Sequence, residues 1–255
     1  MARTFYRPSV REFNSLPCFT EWKYIHTPSA AAVTRCLTPA SVREGGPTST
    51  IFLVGDSHAG ALHSAVAGAV KGRMRMAFVG RAGNGFYPDW SEDNGGHKTF
   101  GSPKAWINTQ LNALQANMRS GDVLCIINQH GWINYGWMSR SVLPILPAGA
   151  KVLLVGDNPF LSHTPAVCHG NHNLCSGIYP TEWDTQLQSF AAQHANVRAL
   201  IQTPFWTAPP GQHFWGNVPG TTTNAYEDTH HLLPEGATYV QAFLCSALRQ
   251  WDLFT

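Results

Sequence analysis

The chain has 255 residues, enough for one α/β domain with a full core, and its 17 basic against 15 acidic residues leave a formal charge of +2. That balance excludes a nucleic-acid stripe or a polybasic membrane patch, and no run approaches the length of apolar residues that a membrane-spanning helix needs. Nine tryptophans in a weakly charged chain fill a core or line a ligand-facing groove.

Residues 1–48 read as an N-terminal extension that wraps over the rest: Pro8, Pro17, Pro28, Pro39 and Pro47 interrupt it, and the spacing allows only a short helix over 29–36. Residues 49–255 read as a single domain. Ile51 to Val54 is an apolar run suited to a buried strand, Gly55 permits a sharp turn, and Asp56 and Ser57 stand at the break. Ala61, Leu62, Ala65, Val66, Ala69 and Val70 then recur at helical spacing. A serine held between a central strand and a helix start is placed as a nucleophile is, near backbone N–H groups that can receive negative charge. Asp56 and Ser57 in that position are also ordinary helix caps. His58 either lines the same pocket or meets solvent or a local backbone group.

Residues 73–79 suit a second strand. Gly80 to Gly85 follows as a glycine-rich loop without the glycine spacing of a dinucleotide site or the lysine of a phosphate loop, so no nucleotide site is expected. Residues 103–119 have near-helical apolar spacing. Val123 to Ile127 is apolar on both faces, as in a parallel sheet, and ends at Asn128. A short helix is expected over 139–146, a strand over 151–155, a loop over 161–177, a helix over 181–194 and a last strand over 197–202. Residues 203–225, rich in Pro, Gly, Thr and Trp, suit a substrate-facing loop. Trp132, Trp206 and Trp215 are candidate sugar platforms, each also explicable as packing. A final helix is expected over 234–248. The pattern is a three-layer α/β/α sandwich around a mostly parallel sheet of about five strands, flavodoxin-like in outline.

Six cysteines complete the inventory. Cys18 with Cys36, and Cys168 with Cys175, can each close a disulfide, which implies an oxidising compartment. Cys125 and Cys245 read as buried free thiols. Residues 1–8 are too polar for a secretory core, so the chain is expected to be an extracytoplasmic domain (periplasmic, secreted or lumenal) of a longer membrane-anchored or secreted protein. Cys168, His172 and Cys175, with His169, form an alternative zinc set of uncommon spacing; the disulfide needs fewer assumptions, and neither metal nor cofactor is expected.

A serine nucleophile needs a base, and the base needs an orienter. Asp228 and His231, three residues apart, emerge on one side of a single turn, with His230 the competing base. Together, Gly55-Asp56-Ser57 and Asp228-Thr-His-His231 resemble the first and last blocks of the SGNH hydrolase superfamily. The longer string Val54-Gly-Asp-Ser-His-Ala59 resembles the extracytoplasmic SGNH domain of acyltransferase-3 O-acetyltransferases, and the pattern is also similar to plant-type polysaccharide O-acetyltransferases and related esterases.

The resemblance implies Ser57 as nucleophile, His231 as base and Asp228 as its orienter. It implies an oxyanion hole from the Ser57 N–H, Gly83 (with Gly80 and Gly85 as rivals) and Asn128, and leaves Asp56 to order the turn. It further implies an acetyl donor, possible delivery by a membrane acyltransferase domain or protein, and a glycan acceptor. An acetyl esterase with the same residues and a non-catalytic glycan-binding module are the alternative functions.

Overall fold

The structure, a computed structural model, describes residues 18–20, 30–39, 46–81, 85–86, 103–129, 133–170, 176–206 and 216–251. Gly83, Trp132, Trp215 and Cys175 lie outside them.

The strands are β1 (Phe19–Thr20), β2 (Thr50–Gly55), β3 (Arg75–Arg81), β4 (Val123–Ile127), β5 (Lys151–Val155) and β8 (Val197–Leu200), joined in one sheet in the order β1-β3-β2-β4-β5-β8. Every pairing in it is parallel. A short antiparallel pair, β6 (Phe160–Leu161) with β7 (Gly177–Ile178), stands apart and brackets the stretch over 161–177 expected to be a loop. The helices are α1 (Ala30–Cys36), α2 (Ser57–Val70), α3 (Pro103–Asn117), α4 (Pro165–Gly170), α5 (Thr181–Ala192) and α6 (Pro234–Gln250). The helix expected over 139–146 is an irregular segment over 135–145, in which a π turn at Met138–Val142 passes into a 3₁₀ turn.

The central strands β2, β4 and β5 are apolar apart from Thr50 and Lys151 at the starts of β2 and β5, because both faces are covered. Ile51 and Leu53 point to one side of β2, where they share a core with Leu62 and Val66 of α2 and Val240 and Leu244 of α6. Phe52 and Val54 point to the other, against Val33 of α1, Ile107 and Leu114 of α3 and Leu187 and Phe190 of α5. The result is the expected three-layer sandwich. α2 and α6 approach closely because Gly68 carries no side chain: a Cβ there would stand 2.4 Å from the Gln241 side-chain oxygen.

The N-terminal segment contributes more than a covering. β1 extends the sheet at its edge, with Phe19 opposite Gly80, and the Cys18–Cys36 disulfide ties that edge to α1. Cys168 is also disulfide-bonded, which removes its thiolate from the alternative zinc set. Cys125 is a buried free thiol and Cys245 a half-buried one. Among the described residues no helix is long and apolar enough to cross a membrane.

Candidate active site

β2 ends at Gly55, whose φ of 152° suits glycine and whose Cβ, if present, would stand 1.8 Å from the Ile127 carbonyl oxygen of β4. The chain can therefore turn tightly against its neighbour. Asp56 follows, fully buried, and caps α2: its Oδ1 accepts from the His58 N–H at 2.8 Å. Its Oδ2 accepts from the Gln129 N–H at 2.7 Å. Asp56 thus orders the turn, and Ser57 is left as the first residue of α2 at the carboxyl end of the central strand.

The opposing group comes from the segment before α6. Asp228 Oδ1 accepts from the N–H groups of His230 and His231, both at 2.8 Å, which folds 228–231 into a single turn. The Glu227 N–H donates to the His231 carbonyl at 2.9 Å and closes the same turn. Three bonds fasten it to the carboxyl end of β5 and to β6. Asn158 Nδ2 donates to the His230 carbonyl at 3.0 Å, Tyr226 donates its hydroxyl to the Pro159 carbonyl at 2.6 Å, and the Leu161 N–H donates to the Thr229 carbonyl at 2.7 Å.

Ser57, His231 and Asp228 consequently meet. His231 Nδ1 lies 2.7 Å from Asp228 Oδ2, and His231 Nε2 lies 2.8 Å from Ser57 Oγ. Burial works to raise the Asp228 carboxyl, but the hydrogen bond and charge of His231 and the two backbone N–H groups outweigh it and hold the carboxyl well below the usual carboxylate range. His230, the competing base, does not reach Ser57 in this arrangement. Its Nδ1 lies 3.1 Å from Thr229 Oγ1, and burial together with the charge of His231 lowers it to about 4.

The expected oxyanion donors are only partly placed. Asn128, one residue beyond β4, is buried, and its Oδ1 accepts from the Phe86 N–H at 3.1 Å. Because that N–H can only donate, the Asn128 oxygen faces Phe86. The Gly80 N–H already donates to the Cys18 carbonyl at 3.1 Å, so Gly80 is removed from the rivals. Gly83 lies outside the described residues, and Gly85 is buried beside Phe86.

Of the two readings open for Trp206, sugar platform or packing, the structure gives packing, which corrects its candidacy as a platform: it is wholly buried, against Tyr226 and Tyr239, with its indole N–H directed at Gln202. His58 takes the pocket position that was one of its expected places and is buried beside the triad. Asp157, just past β5, faces it and escaped the sequence reading. The polar run Gly156-Asp157-Asn158 at a strand end is the signal that could have found Asp157.

A family model, that of the SGNH domain fused to AT3 domains, matches residues 18–244. The chain belongs to this family. The SGNH domain falls within the SGNH hydrolase superfamily, whose chemistry is acyl transfer and ester hydrolysis, and it is an extracytoplasmic domain. No curated protein matches the chain. Among solved structures, the periplasmic domain of a lipopolysaccharide acetyltransferase from Salmonella ser. Paratyphi A aligns with a TM-score of 0.64 at 12% identity, over 91% of this chain and 92% of that one. At that identity the likeness shows the shared fold alone. A second structure, of a protein from Streptococcus pneumonia named for platelet activating factor, aligns with a TM-score of 0.44 at 12% identity, over 87% of this chain and 90% of that one.

Proposed function

We propose that this SGNH domain is a serine-dependent O-acyltransferase that moves an acetyl group to hydroxyls of a cell-surface or extracellular glycan through an acyl-enzyme. The observation that carries the reading is the unbroken line Asp228–His231–Ser57, with contacts of 2.7 and 2.8 Å. In the first half-reaction His231 takes the Ser57 proton as Oγ bonds to the acetyl carbonyl carbon. The tetrahedral oxyanion is received by the Ser57 N–H, the NH₂ of Asn128 and a glycine N–H of the 80–85 loop, for which Gly83 and Gly85 are the candidates. The intermediate collapses, the bond to the donor oxygen breaks, and His231 delivers its proton to that leaving oxygen. In the second half a sugar hydroxyl gives its proton to His231, attacks the acetyl-Ser57 carbonyl, and Ser57 leaves with the proton returned. Asp228 holds the imidazole in the tautomer whose Nε2 accepts from Ser57, and stabilises the imidazolium that forms.

Two features support the glycan and the donor. The family is defined by fusion to AT3 domains, so a membrane acyltransferase domain is the expected source of the acetyl group. The Salmonella neighbour, similar in fold, is part of a lipopolysaccharide acetyltransferase. Trp132 and Trp215 remain the candidate sugar platforms.

The test is mass spectrometry of the oxidised protein with p-nitrophenyl acetate, with and without acceptor glycan, beside Ser57→Ala. An acetyl adduct on Ser57 that passes to the glycan is the expected result. An adduct lost only to water, across a panel of glycans, makes the protein an esterase. No adduct and no turnover, with glycan binding unchanged in Ser57→Ala, overturns the enzymatic reading in favour of a binding module.

A further inference from the structure

One buried titratable side chain stands directly beside the nucleophile. His58 follows Ser57 in the first turn of α2, and its ring is almost wholly buried. Its Nδ1 lies 3.3 Å from Asp56 Oδ1, and its Nε2 lies 3.4 Å from Asp157 Oδ1. Both carboxylates are themselves buried. The ring centroid is 5.0 Å from that of His231 and 5.5 Å from that of His230. Among the described residues, the charged and titratable groups facing it are therefore Asp56 from the turn before α2, Asp157 from the end of β5, and Asp228, His230 and His231 from the turn before α6.

This arrangement constrains the proton count. A neutral imidazole has one N–H and one lone pair, so in either tautomer one ring nitrogen would set its lone pair against a carboxylate oxygen. An imidazolium sets its charge between the two carboxylates; at 3.3 and 3.4 Å neither ring nitrogen has hydrogen-bond geometry to them, so the contacts are ion pairs. It also supplies the cation that two neighbouring buried carboxylates require. Burial by itself lowers the basicity of His58, but Asp157 and Asp56 overcome this and raise it to about 9.

We infer that His58 is a positioning residue: a buried imidazolium whose charge, set between Asp56 and Asp157, clamps the nucleophile turn to the end of β5. The positioning role rests on the reading of Ser57 as the nucleophile.

The same cluster admits a rival occupant. His58, His230 and His231 can bring ring nitrogens within 4.8 Å of one another, a spacing a metal ion could bridge. The charge geometry disfavours it, since the ring nitrogens of His58 face carboxylates and those of His231 face Asp228 and Ser57.

The experiment has two readouts. Long-range ¹H–¹⁵N correlation spectra of ¹⁵N-histidine-labelled protein report the protons on each ring, with the His58 signals assigned by their loss in His58→Gln. Both ring nitrogens of His58 are expected to carry protons at pH 7.5, and the titration midpoint is expected to fall by a unit or more in Asp157→Asn, which removes one of its two carboxylates. A neutral His58 at pH 7.5, or a midpoint unmoved in Asp157→Asn, overturns the inference. So does stoichiometric zinc that leaves in His230→Ala. The second readout is the rate of Ser57 labelling by a fluorophosphonate, which is expected to fall by up to about 10²-fold in His58→Gln as the nucleophile turn loosens. A rate unchanged in His58→Gln overturns the positioning role. Failure of the wild type to label would overturn the reading of Ser57 as the nucleophile, whereas the spectra decide the clamp independently.

Discussion

Asp56 joins the ends of two neighbouring strands: its Oδ2 accepts from the Gln129 N–H at 2.7 Å, one residue past Asn128 at the end of β4. The other oxygen caps α2. One buried carboxylate thus fixes both the serine turn and the backbone that presents Asn128. Asp56→Ala is expected to cost about 3 kcal/mol, the sum of a lost cap and a lost charge-assisted bond. Asp56→Asn is no substitute, because it keeps one acceptor and turns an NH₂ toward the other N–H. Urea unfolding should show both variants below the wild type, with Asn between. An Ala variant of wild-type stability would mean that water satisfies the two N–H groups without loss.

Asp228 divides its work between its oxygens. Oδ1 holds the N–H groups of His230 and His231, and Oδ2 holds His231 Nδ1. In Asp228→Asn the amide oxygen can keep the turn while the NH₂ replaces Oδ2. That NH₂ must donate to Nδ1, which forces the proton to Nε2 and leaves Ser57 facing a donor. The fold is expected to survive and Ser57 acylation to fall by ~10⁴-fold, the order seen when the orienting carboxylate of a triad is amidated. Circular dichroism and single-turnover acylation separate the two effects. A Tm loss as large as that of Asp56→Ala would place Asp228 among the structural residues instead.

The two ends of the site were legible because each is set by local spacing. Gly55-Asp56-Ser57 lies between a buried strand and a helix start, and Asp228 reaches His231 within one turn. The interior strands were legible because β4 and β5 are covered on both faces. What was lost depends on distant pairing. Asp157 faces His58 only because β5 lies beside β4, and no local pattern states that order. Trp206 looks the same in a Pro- and Gly-rich segment whether it faces solvent or, as here, Tyr226 and Tyr239. β1 is two residues long, too short for any periodicity, and exists through its pairing with β3.

The Cys18–Cys36 bridge, which closes a separation of 18 residues, ties that pairing to α1. Cys18 also contributes its carbonyl to the Gly80 N–H at the end of β3, directly before the glycine loop. A loop of this size is worth roughly 3 kcal/mol in the chain-entropy account. For a domain of this length that corresponds to a Tm fall of about 6–12 °C. The double variant Cys18→Ser, Cys36→Ser is expected to show it by calorimetry. It should also show faster amide exchange at Gly80 than at Ile51, which lies inside β2. Equal protection at the two sites would show that β1 holds the sheet edge without the bridge.

Gly236 supplies the last test, because helix propensity and packing predict opposite signs there. Replacing a helix glycine with alanine ordinarily stabilises, by about 1 kcal/mol in a helix interior, and Gly236 stands third in α6, inside its first turn. Here the new Cβ would stand 2.4 Å from the Ala225 carbonyl oxygen and 3.2 Å from the Ala225 Cβ. The obstacle is backbone, and that same carbonyl accepts from the Leu233 N–H at 2.9 Å, closing the segment that carries Asp228 and His231. Either α6 or this segment must move. Gly236→Ala is therefore expected to lose about 1–3 kcal/mol, as overpacked sites do. Acylation of Ser57 should slow by up to about 10²-fold, because a displacement near 1 Å in the triad is enough for that. Urea unfolding and the acylation rate are the measurements. A variant more stable than the wild type, with an unchanged rate, would show that the segment before α6 yields freely and that the triad is not held from this side.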